Sequence, residues 1–268
     1  MTDHLLQHVE DGVMTLTFNR PEKRNALTDE MYAALNDALA SAARDDAVRV
    51  VLFLAAGDHF TAGNDLASFA RQAEMPRRRD DPPPSVEGFI KAIAAAGKPI
   101  VAGVKGQAVG LGLTMLLHCD LVYVADDAKL SAPFVSLALV PEAASSLLLV
   151  ARLGHARAFS IFAAGQVVTG RSAADWGLAN QALPAGEVDG AARAAAKALA
   201  RQPREALRLT KRLMRDSEGI AVRLDEELTH FATRLTSPEA KEAFGAFAER
   251  RAPDFAKVEA ELAWDRTG

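Results

Sequence analysis

Ile100-Val101-Ala102-Gly103-Val104-Lys105-Gly106-Gln107-Ala108-Val109-Gly110-Leu111-Gly112 is an apolar run that breaks into a glycine-bearing turn and then opens an apolar helix. A short apolar run bounded by such a turn reads as a buried strand. Val48–Leu54 (VRVVLFL) reads the same way, and after the turn 55–59 comes a second glycine-containing turn, Phe60-Thr61-Ala62-Gly63-Asn64-Asp65-Leu66. Leu121–Ala125 is a further strand of this kind, while Val13–Asn19 (VMTLTFN) alternates as a half-buried strand does. Thr28 is placed to cap a helix whose first turn holds Asp29 and Glu30 and whose apolar stripe is Met31, Leu35, Ala38 and Leu39. The cycle of strand, turn and helix recurs irregularly to residue 200. It predicts an α/β body whose loops and helix starts carry function.

Two segments depart from that cycle. Arg71–Ser85 (RQAEMPRRRDDPPPS) has four prolines, mixed charge and few apolar residues. It reads as a surface loop, or alternatively as a lid or pocket wall. Beyond residue 200 the pattern is strongly helical, which divides the chain into a body, 1–200, and a helical module, 201–268. Pro203 and Pro238 suit first helical positions, Gly219 separates two helical patterns, and Phe231, Leu235, Phe244 and Phe247 supply apolar anchors. Such a run of helices either mediates oligomerisation or covers the core of its own body.

Composition narrows the function classes. Of 268 residues, 49% are hydrophobic, enough for a substantial core, and 25% are charged, close to the soluble average. A net charge of -4 and only 6% aromatic residues give no support to nucleic-acid binding. Cys119 is the one cysteine, so no intramolecular disulfide forms, which fits the cytoplasm. The opening MTDHLLQHVEDG has no basic patch followed by an apolar stretch, so no signal peptide is expected, and no run is long enough to span a bilayer. The six histidines lie far apart with no metal-binding spacing, and neither a GxGxxG nor a Walker A pattern occurs. No metal, no resident cofactor, no nucleic acid and no membrane is expected.

The two glycine-bearing turns carry the chemistry. Glycine lets the backbone pass close to a ligand, and N–H groups at a helix start point outward with partial positive charge. Two such amides aimed at one carbonyl oxygen make an oxyanion hole, each donor contributing about 3 kcal/mol to transition-state stabilisation. Taken singly, either turn is an ordinary strand-to-helix connection.

Asn19-Arg20-Pro21-Glu22-Lys23-Arg24-Asn25-Ala26-Leu27 resembles the N-terminal signature of the enoyl-CoA hydratase/isomerase (crotonase) superfamily. Phe60–Leu66 resembles its first oxyanion turn, Gly106–Gly112 followed by Cys119-Asp120 its second, and Ala174-Asp175-Trp176-Gly177-Leu178-Ala179-Asn180 a late element of the family. The matching blocks span 13–183, with a weaker tail near Phe247–Arg251. The resemblance implies an α/β, crotonase-like spiral of ββα units with a C-terminal helical oligomerisation module. It implies a homotrimer or a dimer of trimers, and an acyl-CoA thioester substrate, so that coenzyme A arrives as part of the substrate. By position, the oxyanion amides fall on Asn64 and Leu111. Main-chain contacts to coenzyme A fall around Arg24, Ala26, Ala62, Asp65 and Leu66, and a phosphate contact on Arg250. The plainer reading of Arg250 and Arg251 is a solvated helix face. An acyl pocket draws on Phe69, the 71–85 loop and Phe134.

The resemblance also bears on the reaction. Hydratases of the family carry two glutamates, at positions matched here by Thr114 and by Phe134 after Pro133. Both carboxylates are missing. Leu139-Val140-Pro141-Glu142-Ala143-Ala144-Ser145-Ser146 instead resembles the segment of 3-enoyl to 2-enoyl-CoA isomerases that bears their single catalytic glutamate. The expectation is therefore an isomerase using Glu142. The alternatives are a hydratase or another enolate-type reaction such as thioester hydrolysis, and a non-catalytic acyl-CoA-binding relative. On the residues alone, Glu142 is also an acid favoured in a helix first turn. Phe134 is either an apolar wall or a core aromatic, Asp65 an Asx-type anchor for its turn, Asp120 a structural group, and His118 and Cys119 core residues.

Overall fold

Apolar runs without alternation become central strands only where both faces are covered, and that is their fate here. The computed structural model describes residues 2–65 and 85–265. Its larger sheet has the order β1-β2-β3-β4-β6-β9, from β1 (Leu5–Glu10), β2 (Val13–Phe18), β3 (Val50–Ala55), β4 (Ile100–Val104), β6 (Leu121–Ala125) and β9 (Gln181–Leu183). β1 and β2 form an antiparallel pair, and every other neighbouring pair is parallel. All residues of β3 and β4 are buried. The alternation of Val13–Asn19 predicts a half-buried strand, but β2 is covered on both sides. Met14, Leu16 and Phe18 join the main core, while Val13 packs in a second cluster with Val50, Leu52 and Leu54.

A smaller sheet has the order β5-β7-β8, from β5 (Gln107–Val109), β7 (Lys129–Ser131) and β8 (Val168–Thr169). The chain thus gives one strand to the large sheet, one to the small sheet, and then turns into helix. β4 and β5 lead to α3 (Leu111–Thr114); β6 and β7 lead on to α4 (Ser145–Leu153) and α5 (His155–Phe162). This is the expected α/β spiral of ββα units. α1 (Asp29–Arg44) and α2 (Ser85–Ala94) lie together over one face of the large sheet, and α7 (Ala185–Ala200) covers the other. The Ala192, Ala196 and Ala200 stripe brings α7 close enough that a Cβ on Gly103 would stand 3.2 Å from that of Ala192.

Helix starts follow the capping signals at Thr28 and at Ser237 with Pro238. Thr28 Oγ1 accepts the N–H of Met31 at 3.4 Å, and Ser237 Oγ accepts that of Ala240 at 3.1 Å with Pro238 at the first helical position. Two expectations are corrected. Pro203 is the residue before α8 (Arg204–Leu213), because its extended ψ of 116° precedes the helix. Gly219 sits inside the first turn of α9 (Ser217–Leu235), whose start is set by Asp216 Oδ1 accepting the Gly219 N–H at 3.0 Å. α9 packs on α2 and α4, and α10 (Pro238–Ala248) on the short 3-10 turn Val135–Leu137, so the C-terminal helices cover the body of their own chain. α11 (Phe255–Asp265) follows. Leu66, Phe69 and the proposed loop, apart from Ser85 at the start of α2, lie outside the described residues. No described helix is long and apolar enough to cross a membrane.

The tightest joint between a helix and the sheet is at Gly170, which opens α6 (Gly170–Asp175). A Cβ there would lie 1.8 Å from the carbonyl oxygen of Ala125 at the end of β6. Gly170→Ala is expected to lower the unfolding free energy by about 1–3 kcal/mol, read as a lower urea midpoint with the m-value unchanged. Gly97→Ala, where no atom lies within 4 Å of the added carbon, serves as the silent control.

Candidate active site

The two glycine-bearing turns are stitched into one another by the backbone. Thr61 N–H donates to Gln107 O at 2.9 Å and Val109 N–H to Thr61 O at 3.1 Å. On the other edge, Leu27 N–H donates to Gly63 O at 2.8 Å and Asp65 N–H to Leu27 O at 3.0 Å. In a parallel bridge of this kind the N–H of the residue between the two bonded groups, Asn64, faces away from Leu27. Gly63 has φ +85°, and a Cβ on it would stand 2.6 Å from Val109 O, so no other residue lets the turns meet. Gly110, at φ +57°, donates to Ser131 O at 2.8 Å and starts α3, leaving the Leu111 N–H in the unpaired first turn. Neither the Asn64 nor the Leu111 N–H has an acceptor among the described residues. Both residues line one cavity of about 380 Å³, walled by Phe134, Phe231, Phe244 and Phe247. Phe134 meets Phe231 edge-on at 6.5 Å, joining the body to the C-terminal helices.

Glu142 lies in the loop ahead of α4 and not in the helix first turn. It is 3% exposed and is not among the residues that line the cavity. Thr114 Oγ1 donates to Glu142 Oε1 at 3.0 Å. Thr114 is three residues after Leu111 on α3, a spacing that puts side chains about 5–6 Å apart. Burial pushes Glu142 up to about 8, against a partial offset from the Thr114 hydroxyl and a further rise from the nearby charge of Glu227. Tyr32, buried on α1, donates its hydroxyl to Asn64 Oδ1, and its own ionisation is raised first by burial and then by the field of Glu142.

The loop bearing Glu142 is held from several sides. Ala143 and Ala144 both adopt left-handed backbone, φ 62° and 53°, a conformation costly for a residue with a Cβ. His118 Nε2 lies 2.7 Å from Ala143 O, and its Nδ1 meets the Arg215 guanidinium. A guanidinium only donates, so Nδ1 accepts and Nε2–H donates to the carbonyl. Burial, and then Arg215, hold His118 down to about 3, so it stays neutral in this role. His118 is a core residue as expected, yet one with a specific tie to the loop of Glu142. Cys119 is buried, its thiol raised to about 12 by burial, and Asp120 is structural: its Oδ2 accepts the Ile100 N–H at 2.7 Å and pairs with Lys211 at 2.8 Å.

Around the coenzyme A motif, Asn25 organises the turn. It is fully buried, donates to Ala56 O and His59 O, and accepts the Arg20 N–H at 2.7 Å. Arg24 takes left-handed backbone, φ 51°, and its carbonyl accepts the Ala62 N–H at 2.9 Å. Ala26 O accepts Arg20 Nη1 at 3.2 Å. Asp65 is also tied over a long range, because Arg20 Nη1 reaches its Oδ2 at 2.9 Å. Arg250 is exposed in the left-handed turn after α10, with no side-chain partner among the described residues, whereas Arg251 is tied to Glu242 and Glu249. No group of three potential metal ligands occurs among the described residues. Asn25, Tyr32 and Glu227 are the site residues that sequence reasoning passed over. Only Glu227 left a usable sign, a carboxylate within the apolar series Ile220, Leu224, Phe231 of α9.

A spiral of ββα turns presenting two unpaired amides at the mouth of an apolar cavity defines a class of enzymes that polarise a carbonyl. Residues 8–258 match the enoyl-CoA hydratase/isomerase family. The chain belongs to that family and is an acyl-CoA enzyme of the crotonase fold. The 1,2-epoxyphenylacetyl-CoA isomerase of Escherichia coli K12 is 34% identical over 261 residues, covering 95% of this chain and 99% of that protein. Enoyl-CoA delta isomerase 2 of Rattus norvegicus is 33% identical over 90% of this chain, which spans 62% of that longer protein. The crystal structure of an enoyl-CoA hydratase/isomerase from Pseudoalteromonas atlantica T6c superposes with a TM-score of 0.88 at 41% identity, covering 94% of this chain and 99% of that one.

The raised carboxyl has a stability consequence. The folded state binds the Glu142 proton more tightly than the unfolded chain does, so stability falls as pH rises from 4.5 and levels off above about 8. Glu142→Gln, which never ionises, is expected to match the wild type near pH 4 and to exceed it increasingly through that window. Urea unfolding at a series of pH values measures the difference.

Proposed function

We propose that this enzyme shifts a double bond from the 3- to the 2-position of an enoyl-CoA through a thioester enolate. The observation that carries the reading is the buried Glu142 carboxyl, bound to Thr114 one helical turn from the Leu111 amide. The thioester oxygen accepts from the N–H groups of Asn64 and Leu111, which withdraw electron density and acidify the α-carbon. The Glu142 carboxylate takes the α-proton, the negative charge moves onto the oxygen held by the two amides, and the same carboxyl returns the proton to the γ-carbon. One acid–base group suffices for both steps, and a raised pKa suits a group that must take and return one proton near neutrality. Hydration would call for carboxylates where this chain has Thr114 and Phe134, and the Phe134 ring is an apolar wall of the cavity. The two related isomerases named above support the same choice. In this reading Arg250 meets the phosphates of coenzyme A, supported by its exposure three residues beyond the cavity-lining Phe247.

Glu142→Gln is expected to lower kcat on 3-enoyl-CoA by about 10²–10⁴-fold with binding of the thioester retained. Turnover in ¹⁸O-labelled water is expected to leave no label in the product. Wild-type turnover in the variant, or stoichiometric label, overturns the reading. The expected trimer or dimer of trimers is supported by Leu213, Met214 and Val222, apolar side chains left exposed at the end of α8 and on α9. Light scattering is expected to give three or six chain masses.

A further inference from the structure

Ile220, Leu224, Glu227 and Phe231 recur at helical spacing on α9, so a carboxylate occupies a place in an otherwise apolar stripe. Glu227 is 5% exposed. Its Oε1 accepts the N–H of Ser146 at 2.8 Å, and its Oε2 has no hydrogen-bond partner. Ser146 is the second residue of α4, a helix whose N-cap, Ala144, has no side-chain oxygen to offer. Glu227 supplies that acceptor from another helix. Glu142 lies three residues ahead of α4, and its carbonyl accepts the Ser145 N–H at 3.1 Å, so Glu142 and the Ser146 amide held by Glu227 belong to one tight turn. Two nearly fully buried carboxyls therefore share one region of the site.

Their surroundings differ. Glu227 is faced by the N–H groups of Ser146 and Ala144, at the positive end of α4, and by Arg223 one turn earlier on α9. Glu142 is faced by the Thr114 hydroxyl of α3, by Tyr32 of α1, whose hydroxyl is committed to Asn64, and by Glu227 itself. A pair of like acids in unequal settings divides its roles, one holding charge and the other a proton. We propose that Glu227 is a positioning residue for Glu142, carrying the standing negative charge of the pair so that the mobile proton resides on Glu142. This rests on the assignment of Glu142 as the proton shuttle. Burial raises both carboxyls, and at Glu227 the opposing influence of the Ser146 hydroxyl, then of the Ser146 and Ala144 amides, favours placing the charge there.

The plainer role for Glu227 is an acceptor for the Ser146 amide alone. Glu227→Gln separates the two, because a glutamine oxygen still accepts that N–H while the charge is gone. Abstraction of the α-proton needs ionised Glu142, so kcat/KM rises with pH through its titration. Without its charged neighbour Glu142 ionises more readily. The acid limb of Glu227→Gln is therefore expected to move about one unit lower, a tenfold gain in kcat/KM at fixed pH on that limb. A limb that superimposes on the wild type, with Glu142→Gln inactive, overturns this proposal and leaves the shuttle standing. Turnover in Glu142→Gln overturns the shuttle itself. Infrared titration of the wild type and Glu142→Gln gives an independent reading if Glu227→Gln does not fold. A buried protonated-carboxyl band at neutral pH is expected to vanish in Glu142→Gln, and a band that survives there places the proton on Glu227 and overturns the proposal.

Discussion

The backbone contact between the turn at Gly63 and the carbonyl of Val109 sets the geometry on which the site depends. With no side chain at Gly63, the Thr61–Ala108 bridge can form, and with it the small sheet lies against the turn that follows β3. The Leu27–Asn64 bridge then fixes the direction of the first amide, and the left-handed Gly110 fixes the second by starting α3 where it does. Both donors come from main chain whose other hydrogen bonds are already made. They are therefore oriented before substrate arrives, which is the condition under which such donors stabilise developing charge most strongly.

Around that rigid element the carboxyl chemistry is assembled from distant parts of the chain. Thr114 comes from α3, Tyr32 from α1, His118 from the 3-10 turn after α3, and Glu227 from α9. Each makes a polar contact to Asn64, to Glu142 or to the segment from Ala143 to Ser146. Two consecutive alanines in left-handed conformation are stable only because neighbours fix the backbone from both sides. The energetic tension is visible in the buried Glu142 carboxyl, whose ionisation burdens folding as the pH rises through neutrality.

The central strands of the large sheet were legible in the sequence because they rest on local signals, whereas the two amide donors were legible only through the family resemblance of their turns. Ile100–Val104 and Leu121–Ala125 coincide with β4 and β6 to the residue, since a short apolar run bounded by Pro99 and Lys105, or by Asp120 and Asp126, has few other fates. Val13–Phe18 misled by alternation, because Thr15 is buried beneath packing that only the folded chain supplies. Glu142 was legible from its motif, but its burial and its bond to Thr114 join residues 28 positions apart. Asn25 gave no local hint of its bonds to Ala56 and His59, and Asp65 none of its pairing with Arg20. Such contacts depend on tertiary closure, which periodicity and capping rules do not encode.

The order in which the cavity's walls appear along the chain has its own consequence. Asn64 and Leu111 lie in the first half, but Phe231, Phe244 and Phe247 belong to α9 and α10. While the protein is being made, a nascent chain emerging from the ribosome can form both amide donors long before the aromatic side of the cavity exists. Until those last helices dock, the apolar faces of Phe134 and its neighbours stand open to water and to other chains. The aromatic side of the cavity is thus completed only once the last quarter of the chain has been made.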